Sequence, residues 1–160
     1  MKMTRTTLIA ALATFALGGT AIAHSFKVGD LEVGHPMAFE TPITAKTGGG
    51  FLTVTNNGDS ADRLIEVRAD FPKVEIHTTE MSDGVARMMH VEAIEIAPGE
   101  TVTLQPGGYH IMFMGLNGDP FEVGEKIPAT LVFEKAGTLD LEFNVEERPA
   151  SGEKMDHSGH

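Results

Sequence analysis

The 160 residues set a scale of about one domain. Hydrophobic residues make up 41% and charged residues 22%, as in a folded chain rather than a disordered one. The formal charge of −11 excludes the basic surface that nucleic-acid binding needs, and the absence of Cys excludes disulfides, thiolate zinc sites, iron–sulfur clusters and a Cys-ligated blue-copper centre.

Lys2 and Arg5 precede a short apolar run, Leu8 to Leu17, and Ala21-Ile22-Ala23 has the small-x-small form of a cleavage site. Residues 1–23 therefore read as a secretory signal peptide, too short in its apolar part to be a membrane anchor. No Cys follows for lipidation, so the expected product is soluble and starts at His24. It keeps 10 basic and 23 acidic residues.

The body reads as short strands between turns. Expected strands cover residues 26–33, 50–55, 63–68, 73–79, 86–92, 100–104, 108–114, 129–135 and 138–145. Turn signals fall at Asn57-Gly58, Asp83-Gly84, Pro98-Gly99, Pro106-Gly107-Gly108 and Asn117-Gly118-Asp119-Pro120. From Leu139 to Val145 the odd positions are apolar, the mark of a strand with one wet face. No stretch holds a helical period. Many short strands at near-regular spacing point to an all-β antiparallel sandwich or barrel. Domain bounds are signal peptide 1–23, β domain 24–147 and a flexible polar tail, 148–160.

Two segments carry the chemistry. In Tyr109-His110-Ile111-Met112-Phe113-Met114, alternation puts His110 and Met112 on one face and Ile111 and Phe113 on the other, which is the natural core side. A hairpin turn at Asp83-Gly84 sets His77 opposite His90 and Thr79 opposite Met88, with Met88 diagonal to His77. A one-residue slip would exchange Met88 for Met89. If the fold brings strand and hairpin together, the result is a His2Met2 set. Two neutral thioethers and two imidazoles suit copper(I), whereas zinc, calcium and magnesium prefer other donors. A single Met is more often core filler, and a single strand His more often a hydrogen-bonded structural group. Spacing alone leaves both readings open.

His77, Met88, His110 and Met112 are separated by ten, twenty-one and one residues. That spacing, with Val74-Glu75-Ile76-His77-Thr78-Thr79, Pro106-Gly107-Gly108-Tyr109-His110-Ile111-Met112-Phe113-Met114-Gly115-Leu116 and Leu131-Val132-Phe133-Glu134-Lys135-Ala136-Gly137, resembles the PCuAC family of bacterial periplasmic copper(I) chaperones. The resemblance runs over residues 26–147. It implies a cupredoxin-like sandwich with Greek-key connections and copper at an exposed edge, with His77, Met88, His110 and Met112 as copper(I) ligands. It also implies a non-enzymatic role, carrying copper towards the CuA centre of cytochrome c oxidase, beside a Sco-like thioredoxin-fold protein. Copper storage or resistance would use the same residues. A copper redox protein fits less well, because the soft set favours copper(I) over copper(II).

Met155, Asp156, His157 and His160 form a second, harder cluster in the tail, suited to copper(II). His24, His35 and His90 read as non-ligands, with His35 in a loop before Pro36. Met81 and Met114 read either as outer thioethers or as packing.

Overall fold

The computed structural model describes residues 25–150. The expected signal peptide, His24, and the tail cluster of Met155, Asp156, His157 and His160 lie outside the described residues.

The described residues form eleven strands and no helix. In chain order they are β1 (Ser25–Val28), β2 (Leu31–Phe39), β3 (Thr47–Asn56), β4 (Asp62–Ala69), β5 (Lys73–Ser82), β6 (Val85–His90), β7 (Ile94–Ile96), β8 (Thr101–Leu104), β9 (Tyr109–Met114), β10 (Lys126–Phe133) and β11 (Gly137–Glu146). The hydrogen-bonded path runs β6-β5-β9-β3-β2-β11-β10-β4-β7, with β1 added to β2 and β8 to β3.

Two long strands bend this path into a sandwich. β3 pairs with β9 through Thr47–Gly50 and then, on the same edge, with β8 through Leu52–Thr55. β2 pairs with β1 before residue 35 and with β11 after it. Its register with β3 shifts between Gly34 and Met37, where His35 has φ 49°. A strand that changes partner at a bulge turns the corner of a sandwich.

The core between the layers is aliphatic and aromatic: Phe113, Phe133, Phe143, Leu52, Leu64 and Ile111 are fully buried. Phe113 of β9 meets Phe143 of β11 edge-on, at 5.6 Å between ring centroids. Each such ring contributes roughly 1.5–3 kcal/mol on burial. The alternation expected for residues 139–145 holds, with Leu141, Phe143 and Val145 turned inward.

Four expectations need correction. The segment 26–33 is two strands, broken by a turn at Gly29-Asp30, where Gly29 has φ 55°. His35 lies in β2 rather than a loop, because the bulge absorbs Pro36 without ending the strand. β7 falls where no strand was expected; three residues are too few for alternation to register. The sheet is mixed rather than purely antiparallel, since β2 and β11 run parallel from Met37 to Phe39.

Candidate metal centre

The β5–β6 hairpin turns at Asp83-Gly84, both at positive φ (52° and 76°), the two-residue turn whose twist matches the flanking strands. Its register sets His77 opposite His90, Thr78 opposite Met89 and Thr79 opposite Met88, as the turn chemistry predicts. On the other edge of β5 lies β9, with His77 opposite His110 and Glu75 opposite Met112. Directly opposed residues share a face. Three imidazoles, His90, His77 and His110, therefore form a row across β6, β5 and β9. Ring centroids are 6.2 Å apart for His90 and His77 and 5.9 Å for His77 and His110. The next row holds Glu75, Met112 and Gly49 of β3.

Met88, His110 and Met112 line one cavity of about 260 Å³, with Thr79, Gly49, Phe39, Phe51 and Arg148 among its other walls. His77 is not on that wall; it adjoins it through the His110 ring. The exposures differ sharply: Met88 is 63% exposed, Met112 8% and His110 4%. β9 is thus buried on both faces at its centre, where alternation expected one core face. β9 lies between β3 and β5, and the hairpin stands beside it.

His110, buried, and His77, half-buried, each use one ring nitrogen for support and leave the other free. His110 Nδ1 lies 3.0 Å from the Gly108 carbonyl oxygen, so it donates there. Its Nε2 is buried with no partner. His77 Nε2 lies 2.8 Å from Glu75 Oε2, and its Nδ1 is buried with no partner. An unpaired buried polar atom costs about 1–3 kcal/mol. Two of them, on neighbouring rings beside two thioethers, fit a soft cation that takes both lone pairs. The outer hydrogen bonds fix each ring's tautomer and orientation, as the supporting groups of metal-binding histidines do.

Glu75 is the supporting group that sequence reasoning missed. Its Oε1 pairs with Lys73 Nζ at 2.7 Å. The hydrogen bond to His77, and then that to Lys73, hold its carboxyl down at about 2. Its place two residues before His77, on the same strand face, was the available signal. Arg148 was also missed: it lies over the Phe39 ring at 5.5 Å and closes one wall of the cavity. Met81 is 70% exposed and Met114 half-buried, and neither lines the cavity. His35 pairs with Glu146 at 3.5 Å on the far edge of β2.

Comparison with known proteins agrees with this architecture. The sequence model of the family described as "Putative lipoprotein LpqE-like" matches residues 31–145. A curated relative, "Putative lipoprotein Lxx21020" of Leifsonia xyli subsp. xyli, is 35% identical over 81 residues, which is 50% of this chain. The match spans about half of that relative, 48% of its length. Among solved structures, the apo PCuAC domain from PmoF1 superposes with a TM-score of 0.67 at 28% identity, covering 78% of this chain and all of that domain. The copper-bound PCuAC domain from PmoF2 gives 0.66 at 31% identity, over 78% of this chain and 99% of that one. The copper(I) form of DR1885 from Deinococcus radiodurans gives 0.55 at 25% identity, over 82% and 86%. The fold is the cupredoxin-like β-sandwich that the sequence resemblance implied, and the chain belongs to the LpqE-like family, of PCuAC type.

Proposed function

We propose that this chain is a copper(I) carrier of the bacterial periplasm, a binding and transfer protein rather than an enzyme. His77, Met88, His110 and Met112 hold the ion, and the protein passes it towards the CuA centre of cytochrome c oxidase with a Sco-like partner. The observation that carries this reading is the pair of buried, unpartnered nitrogens on His77 and His110 beside a cavity walled by two thioethers. Similarity to a copper-bound PCuAC domain and to a copper(I)-loaded protein supports the choice of metal. Membership of a lipoprotein-named family supports export to the cell envelope. In that reading residues 1–23 direct export, 24–147 carry the main site, and 148–160 form an extension whose Met155, Asp156, His157 and His160 take copper(II).

The donor set suits a carrier. Thioethers add no charge, so an acceptor with thiolates can strip the ion away. The imidazoles bind a metal only as neutral ligands, so protons compete with copper(I) for them.

An anaerobic copper(I) competition titration on residues 24–160 tests the reading. Wild type should bind one tight equivalent. Met112→Leu keeps shape and loses the sulfur. It and His110→Ala should each weaken binding beyond the roughly 10–100-fold typical of losing a supporting residue. Unchanged affinity in both variants would remove this site. Transfer from the loaded chain to an isolated apo CuA domain separates delivery from storage: a chain that keeps its copper is a store.

A further inference from the structure

His77 also belongs to a second set of donors, which opens onto a different cavity from the thioethers. Glu75, His77 and His90 each offer one ligand atom, and these atoms lie within 4.8 Å of one another. Glu75 Oε2 is the common neighbour, 2.8 Å from His77 Nε2 and 3.8 Å from His90 Nδ1. A separate cavity of about 240 Å³ opens onto Glu75 and His90, with Glu66 and Glu92 also on its wall. It shares no lining residue with the thioether cavity. Sequence reasoning placed His90 opposite His77 but read it as a non-ligand, and the proposed carrier role gives it no part.

We propose that Glu75, His77 and His90 form a second metal site, for a divalent cation of borderline hardness such as zinc(II) or copper(II), and that it competes with the copper(I) site for His77. Two imidazoles and a carboxylate suit such ions and leave a position for water. They offer copper(I) no soft donor. The competition follows from the chemistry of one ring. A neutral imidazole has one lone pair free for a metal. With its proton on Nε2, facing Glu75, His77 leaves its buried, unpartnered Nδ1 as the lone pair free for copper(I). With its proton on Nδ1, it presents Nε2 to Glu75 and His90. One ring serves one site at a time, so each metal lowers the affinity of the other by the same factor.

Zinc(II) is the probe, because it is redox-silent and poorly matched to thioethers. The full exported chain, residues 24–160, carries His157→Ala and His160→Ala so that the extension does not contribute. Calorimetric titration of the apo chain should show a zinc(II) equivalent that His90→Ala removes. His90 is more than half exposed, so that variant should fold, which circular dichroism checks. Its copper(I) affinity should stay within about twofold of the parent. In the parent, copper(I) loading should weaken zinc(II) binding roughly 5–150-fold, the usual range of coupling between sites. Zinc(II) binding that His90→Ala leaves intact overturns the site. Zinc(II) affinity that is equal with and without copper(I) overturns the sharing of His77. Failure of the carrier reading shows separately, as an apo chain that binds zinc(II) through His90 but takes no tight copper(I).

Discussion

His77 and His110 stand opposite each other on β5 and β9, ring centroids 5.9 Å apart, and each keeps one nitrogen buried and unpaired. The apo fold therefore carries a standing cost at this point, which a cation bound as proposed would remove. A ligand that binds only the folded state adds about 2.7 kcal/mol at a free concentration one hundred times Kd. For a domain of this size that corresponds to a rise in Tm on the order of 10 °C. Anaerobic scanning calorimetry with and without copper(I) measures it, and in Met112→Leu the rise should shrink.

The carboxylate of Glu75 holds the His77 ring through Nε2. Glu75→Gln keeps the shape but weakens that hold. Copper(I) affinity should fall about 10–100-fold with the fold intact. Competition titration reads the first, and the circular dichroism spectrum the second.

The same residue sets a pH window for stability. Its folded value, about 2, lies below the ordinary Glu value near 4.5. Its contribution is therefore present above pH 4.5 and is lost as pH falls through about 2, where both states are protonated. The difference in urea midpoint between wild type and Glu75→Gln should hold at neutral pH and shrink across that window.

Gly49 and Gly50 make opposite demands. A Cβ on Gly50 would lie 2.8 Å from Phe113 and 3.2 Å from Phe143, both fully buried. Gly50→Ala should cost about 1–3 kcal/mol. A Cβ on Gly49 would meet only the tip of Phe51, at 3.1 Å, on the wall of the metal cavity and across the ladder from Met112. Gly49→Ala should cost less stability and more copper(I) affinity. Denaturant melts and copper titrations of the pair separate the two effects.

Asp62 is buried and accepts backbone N–H groups from Arg63, Lys135 and Ala136 at 2.8–2.9 Å. Asp62→Ala strands the amides that tie β4 to the β10–β11 turn. The loss should be on the order of 3 kcal/mol. None of these residues lines the metal cavity, so copper(I) affinity should hold in the folded fraction.

What could be read from the sequence was local. Asp83-Gly84 set the hairpin register through the geometry of a two-residue turn, and period-two alternation put His110 and Met112 on one face. The pairing of β5 with β9 joins segments more than thirty residues apart, and nothing local encodes it. Hence only the fold added His110 to the His77–His90 pair that the turn predicts, whereas Glu75, two residues before His77 on the same strand face, was missed although its signal was local. The burial of both faces of β9 was hidden for the same reason, because alternation describes one strand and not what stacks against it. The start of β10 at Lys126 was missed because Pro128 argues against a strand interior. Here Pro128 is exposed, and its pairing with Glu142 leaves the ladder continuous.

β6 is the outermost strand of its sheet, and all six of its residues are exposed. Of the four proposed ligands, Met88 alone rides on it, while His110 and Met112 sit beneath the surface. An approaching acceptor would meet the Met88 sulfur first and could displace it while the other donors still grip the ion. Unloading would then proceed by associative exchange in a fixed sequence, from the rim inward, and the ion would never be released bare into solution.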